Sequence, residues 1–125
     1  MGRRSRQRQQ RAHGSAAGDK LQAPTSDYRD DEGNVLTLRG SLTPGARREY
    51  AQVLAGGHDR EDAWQRAVEL LFERLTVSWT IAGLEIDRQK ELLARYRMAT
   101  QDERRFVRDS LREHVTENFP ELQAP

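Results

Sequence analysis

The stretch Thr76-Val77-Ser78-Trp79-Thr80-Ile81 admits two conformations, and the choice between them sets the fold class of the whole chain. Followed from upstream, Trp64, Val68, Leu71, Leu75 and Trp79 recur at spacings of 4, 3, 4 and 4, which keeps side chains on one face of an α-helix. Taken alone, the same six residues are β-branched and alternating, which suits a strand paired with Val35-Leu36-Thr37-Leu38-Arg39. The longer pattern favours the helix, from about residue 60 to about 82. Gly83 ends the element in either conformation.

Local start and stop signals extend the helical reading in both directions. Asp59 is placed to cap the element at 60, with Glu61 and Asp62 at the positive end of its dipole. Upstream, the Thr43 hydroxyl can accept from a free backbone N–H, and Pro44 fits the next position, where its missing donor costs nothing. A helix over about 44–55 follows, with Ala46, Tyr50, Val53 and Leu54 as its apolar face and Gly56-Gly57 as its stop. Downstream, Asp87 is the expected cap of a helix over about 88–99 with Leu92, Leu93 and Tyr96 inward. Thr100-Gln101-Asp102-Glu103 is a capping box that restarts the helix over about 101–116, with Phe106, Val107, Leu111 and Val115 inward. Pro120 prevents continuation, and Phe119 and Leu122 are placed to fold back as an apolar latch.

Residues 1–33 read differently. From Met1 to about Thr25 the chain is Arg, Gln, Ser, Gly and Ala, with Leu21 the sole large aliphatic residue after Met1. So little apolar surface cannot offset an ordering entropy of about 1–2 kcal/mol per residue, so the segment is expected to be disordered. Asp27 to Asn34 is an acidic, turn-rich linker that could fold back on the basic arm, and Val35–Arg39 suits one short strand. The expected fold is therefore mainly α. It is a small bundle of about four helices over 34–125, leaving room for one or two short N-terminal or central β-strands, behind a disordered basic arm and acidic linker at 1–33.

Charge is divided unevenly along the chain. Residues 1–14 carry Arg3, Arg4, Arg6, Arg8 and Arg11 with no acid, whereas the other 111 residues carry 16 basic and 20 acidic side chains. Such an arm attracts phosphate or an acidic partner by charge alone. Arginine outnumbers lysine 19 to 2, a bias that GC-rich coding explains more simply than selection for electrostatics, so arginine count by itself says little. The chain has no cysteine, which excludes a disulfide framework and thiolate metal sites and suits the cytoplasm. No secretory signal and no apolar run long enough to span a membrane is visible.

Catalytic constellations are not apparent. His13, His58 and His114 fall in the arm, a loop and a charged helix, and none has a second histidine at metal-ligand spacing. Ser78 and Ser110 have no histidine close in sequence, and there is no phosphate-cradling glycine loop. No enzyme activity, cofactor or metal is expected. Arg104, Arg108 and Arg112 recur at i, i+4 and i+8 and form a secondary basic stripe, although pairing of Arg105 with Asp109, and of Arg108 and Arg112 with Asp109 and Glu113, would make it an ordinary solvated face. Trp64 and Trp79 read as core anchors. Ala67, Leu70 and Phe72 extend the apolar surface of the second helix beyond one stripe, which marks Leu70 and Phe72 as candidate partner-binding residues. The expectation is a non-enzymatic adaptor or regulator acting on a protein partner or by self-association. The alternative is a nucleic-acid-associated regulator whose arm arginines contact phosphate weakly and without sequence preference.

Overall fold

The computed structural model describes residues 24–56 and 59–125. Their order is β1 (Thr25–Arg29), β2 (Val35–Arg39), α1 (Pro44–Ala55), α2 (Arg60–Leu75), β3 (Thr76–Ile81), β4 (Leu84–Ile86), α3 (Gln89–Arg97) and α4 (Gln101–Asn118). The four strands form one antiparallel sheet in the order β1-β2-β3-β4. The unit β-β-α-α thus occurs twice, and its two copies meet at the β2–β3 pair.

This corrects the expected bundle: the chain is mixed α and β, and its described residues form four helices and a four-stranded sheet. The correction turns on residues 76–81. Helix α2 stops at Leu75, where the Thr76 backbone leaves the helical region at φ −76°, ψ 124° while its N–H still bonds to Phe72 O. From Thr76 the β-branched residues pair with β2: Ser78 with Thr37, Trp79 with Leu36 and Thr80 with Val35. The pairing slips at Thr37/Leu38, so that Leu38 faces Thr76 and Val77 is the extra residue of a β-bulge. Trp79 therefore reaches the core from a strand, and its ring meets Phe72 edge-on at 5.8 Å.

The acidic stretch expected as linker is also part of the sheet. Thr25–Arg29 pairs along its length with β2. The turn that follows is closed by the Asp30 carboxylate, which accepts from the backbone N–H of Glu32 and Asn34 and from Asn34 Nδ2. Gly33 supplies the positive φ this turn requires. Asn34 Oδ1 accepts from Ala82 N, which ties the first hairpin turn to the second.

The caps fall largely where the sequence places them. Thr43 Oγ1 accepts from Ala46 N, Asp59 accepts from Glu61 N, and both halves of the Thr100–Glu103 capping box are made. The exception is α3, which begins at Gln89 after Arg88 with no side-chain cap, so the expected Asp87 cap is not formed. One apolar core joins all four helices to a single face of the sheet. Tyr28, Leu36, Leu38 and Trp79 come from the strands, and they pack with Tyr50, Leu71, Phe72, Leu75, Leu92, Val107, Leu111 and Val115. Phe119 closes the bottom of this core, with Leu122 packed against it.

Candidate functional site

Between α2 and α4 the helical layer opens into a cleft of about 800 Å³. Its cationic wall is the stripe Arg104, Arg108 and Arg112, which the helical repeat of α4 sets one above another. Trp64, Val68 and Tyr96 form the floor, and Glu61, Asp62 and Glu69 of α2 stand opposite.

Most of these charges are already engaged. Arg104 donates to the Arg97 carbonyl at 2.8 Å and the Ala99 carbonyl at 3.3 Å, satisfying free carbonyls at the end of α3 while its guanidinium lies 5.2 Å from the Tyr96 ring centre. Arg112 donates to the Pro125 carbonyl at 2.7 Å and lies 3.5 Å from Asp109. Arg97 pairs with Glu69 at 2.6 Å and Arg66 with Asp62 at 2.7 Å. Arg108 differs, making no hydrogen bond or ion pair with any described residue. The expected pairing of Arg105 with Asp109 is not made either, because Arg105 turns to Asp102 at 3.5 Å. Burial raises the Tyr96 phenol, with Arg104 and Arg108 pulling it down and Glu69 pushing it up, so the floor keeps its proton at neutral pH.

The other expected site residues sit elsewhere. Phe72 is 1 % exposed, stacked on Tyr96 at 4.8 Å, and Ala67 is buried too. No surplus apolar face of α2 exists at Phe72, because the sheet and α3 cover it. Leu70 is partly buried against the core. The arm arginines Arg3, Arg4, Arg6, Arg8 and Arg11 lie outside the described residues, as do His13 and His58. Among the described residues no group of three or more His, Cys, Asp or Glu could hold a metal, and no helix is long and apolar enough to cross a membrane.

His114 lies on a charged helix, as the sequence places it, but its burial and its partners were not read. It is fully buried, with Nδ1 2.9 Å from the Tyr28 hydroxyl and Nε2 2.8 Å from the Arg39 carbonyl. A carbonyl can only accept, so Nε2 carries the proton and Nδ1 takes the one from Tyr28. The ring ties α4 to β1 and β2 and has no open space in which to act on a substrate.

No family model, no curated protein and no solved structure matches the chain.

Proposed function

We propose that this chain is a small non-enzymatic adaptor or regulatory protein that binds a segment of another protein in the α2–α4 cleft. The segment would bring an acidic side chain to Arg108 and an apolar or aromatic one to the Trp64 floor. The observation that carries this reading is the contrast at the cationic wall: Arg104 and Arg112 are held by the fold, while Arg108 beside them has no described partner. A guanidinium next to a partly buried tryptophan is the composition of an interface hot spot. Glu61, Asp62 and Glu69 across the cleft disfavour a phosphate backbone there, since a polyanion would meet like charge on one wall. The cysteine-free composition suits a cytoplasmic setting for this role.

Fluorescence separates the readings, because Trp64 lines the cleft whereas Trp79 is buried in the core. Full-length chain is titrated with synthetic peptides that space Glu or Asp from Phe or Leu, and in parallel with labelled duplex DNA at low and high salt. The expected result is a shift of Trp64 emission with peptide, absent in Trp64→Phe, and a loss of at least about tenfold in affinity in Arg108→Glu. Duplex binding that weakens steeply with salt, with no response to any peptide, would hand the function to the arm-based nucleic-acid alternative.

A further inference from the structure

Residues 119–125 run from the core to one end of the α2–α4 cleft. After α4, Phe119 enters the core and the Leu122 N–H donates to the Phe119 carbonyl at 2.9 Å, a turn that lays the tail beside α1. The tail is fastened at three points. Glu121 pairs with Arg47, the Tyr50 hydroxyl donates to the Gln123 carbonyl, and Arg112 Nε donates to the Pro125 carbonyl at 2.7 Å. Pro125 therefore lines the cleft at the Arg112 end of its cationic wall. Packing adds little to these bonds. Glu121 and Gln123 are exposed, Leu122, Ala124 and Pro125 are half-buried, and a groove of about 250 Å³ runs between Leu122 and Gln123 on the tail and Tyr50 and Leu54 on α1. A segment with few buried contacts is one that opens locally while the rest of the fold stays closed.

We propose that residues 121–125 are a strap that withholds Arg112 from the partner of the cleft, and that this partner is a segment with two acidic side chains. The proposal rests on the reading of the cleft as a docking site. In the strapped chain Arg112 has its Nε on Pro125 and its Nη1 3.5 Å from Asp109, so Arg108 is the one guanidinium of the wall without a described partner. Lifting the strap frees the Arg112 Nε one helical turn from Arg108 and turns a single cationic contact into a pair. Arg104 gains nothing from that motion, because its acceptors are the carbonyls of Arg97 and Ala99 at the end of α3. Strap and partner thus compete for one donor. A carboxylate is a stronger acceptor for a guanidinium than the neutral Pro125 carbonyl, so the second acid of a partner displaces the strap. A ligand shifts such an equilibrium only by its preference for one of the two states. One carboxylate is satisfied by Arg108 in either state, whereas two carboxylates about 6 Å apart need Arg112 as well and select the open chain. Affinity for the two-acid segment is then the intrinsic affinity scaled by the open fraction.

Three chains test this: the full chain, a deletion of Gln123–Pro125, and Tyr50→Phe, which loosens the strap without shortening it. Exchange of the Arg112 Nε–H, followed by NMR, reports the strap with no partner present. It is expected to be slow in the full chain and faster on deletion. An Arg112 Nε–H that is unprotected in the full chain overturns the strap. Synthetic peptides that carry Phe with two Glu, or with one Glu and one Gln at the same spacing, are then titrated and read by Trp64 emission. Deletion is expected to tighten the two-acid peptide at least about fivefold and the one-acid peptide less than about twofold, with Tyr50→Phe moving the same way by a smaller factor. An equal gain for both peptides, or no gain, overturns the proposal and leaves the docking site standing. Failure of both peptides to bind even the deletion chain removes the docking site itself, and the role of the strap with it.

Discussion

The two faces of the sheet are both buried, yet they are built from opposite chemistry. Toward the helices stand Tyr28, Leu36, Leu38 and Trp79, whereas Asp27, Thr37 and Ser78 stand away from them. Neighbours in one strand, Leu36 and Thr37, therefore lose their water for different returns. Leu36 gains from apolar area removed from solvent, about 25 cal/mol per Å². Thr37 gains little of that kind, and its burial is tolerable because its hydroxyl donates to Asp27 at 2.7 Å. Burial therefore measures access to water and says nothing by itself about what stabilises a layer.

Substitutions in β2 test this contrast directly. Leu36→Ala should lower stability by about 2–5 kcal/mol in chemical denaturation, since it empties a fully enclosed site. Thr37→Val keeps the shape and removes the donor, with an expected cost of about 1–3 kcal/mol as the Asp27 carboxylate loses one of its hydrogen bonds. Combined with Asp27→Asn, its effect should fall short of the sum of the two single changes. If Thr37→Val proved neutral, or matched Leu36→Ala, the distinction between the faces would fail.

Smaller effects should appear as pH dependence on the helical side. Burial pushes the Tyr50 phenol from 10.0 up to about 12, and its hydroxyl donates to the Gln123 carbonyl at 2.5 Å. The folded chain keeps a proton that the unfolded chain releases, so this contribution is complete below pH 10 and is lost as pH rises to about 12. Tyr50→Phe should flatten the decline of stability across that window. Glu103 moves the other way. The hydrogen bonds from Arg95 hold it below 4.5, burial opposes them, and the Thr100 backbone N–H adds to the lowering. Its contribution is present above pH 4.5 and is lost as pH falls through the lower folded value, so Glu103→Gln should weaken acid sensitivity below pH 4.5. A variant with unchanged acid unfolding would mean that the Arg95 pair contributes nothing to stability.

The helix starts at Thr43, Asp59 and Thr100 were legible because a cap is a local bond, written within three residues. The end of α2 was not. Trp79 keeps the four-residue spacing from Leu75 and also keeps its place in the core, so a pattern of inward side chains could not separate a continuing helix from a helix that becomes a strand. Strand β1 was hidden for another reason: Thr25-Ser26-Asp27-Tyr28-Arg29 has one large apolar residue, so both of its faces look polar. Its conformation comes from β2 and the Asp30 turn. The burial of His114 could not be read because its partners, Tyr28 and Arg39, are 86 and 75 residues away. The arginine spacing on α4 was readable, but the cleft was not, since Trp64 and Tyr96 reach it from two other helices.

The direct passage from Leu75 in α2 to Thr76 in β3, with no loop between them, limits how this chain can change length. Most insertions land in loops, where extra residues bulge into solvent at little cost. One residue added at this joint has nowhere to go. It would advance β3 by one position and exchange its faces, sending Trp79 to the polar side and Ser78 into the core. The bulge at Val77 already absorbs one such offset against β2, which leaves no second slack position in a strand of six residues. Homologous chains should therefore vary in length at the β1–β2 turn or after Ala55, and hold the count from Arg60 to Ile81 fixed.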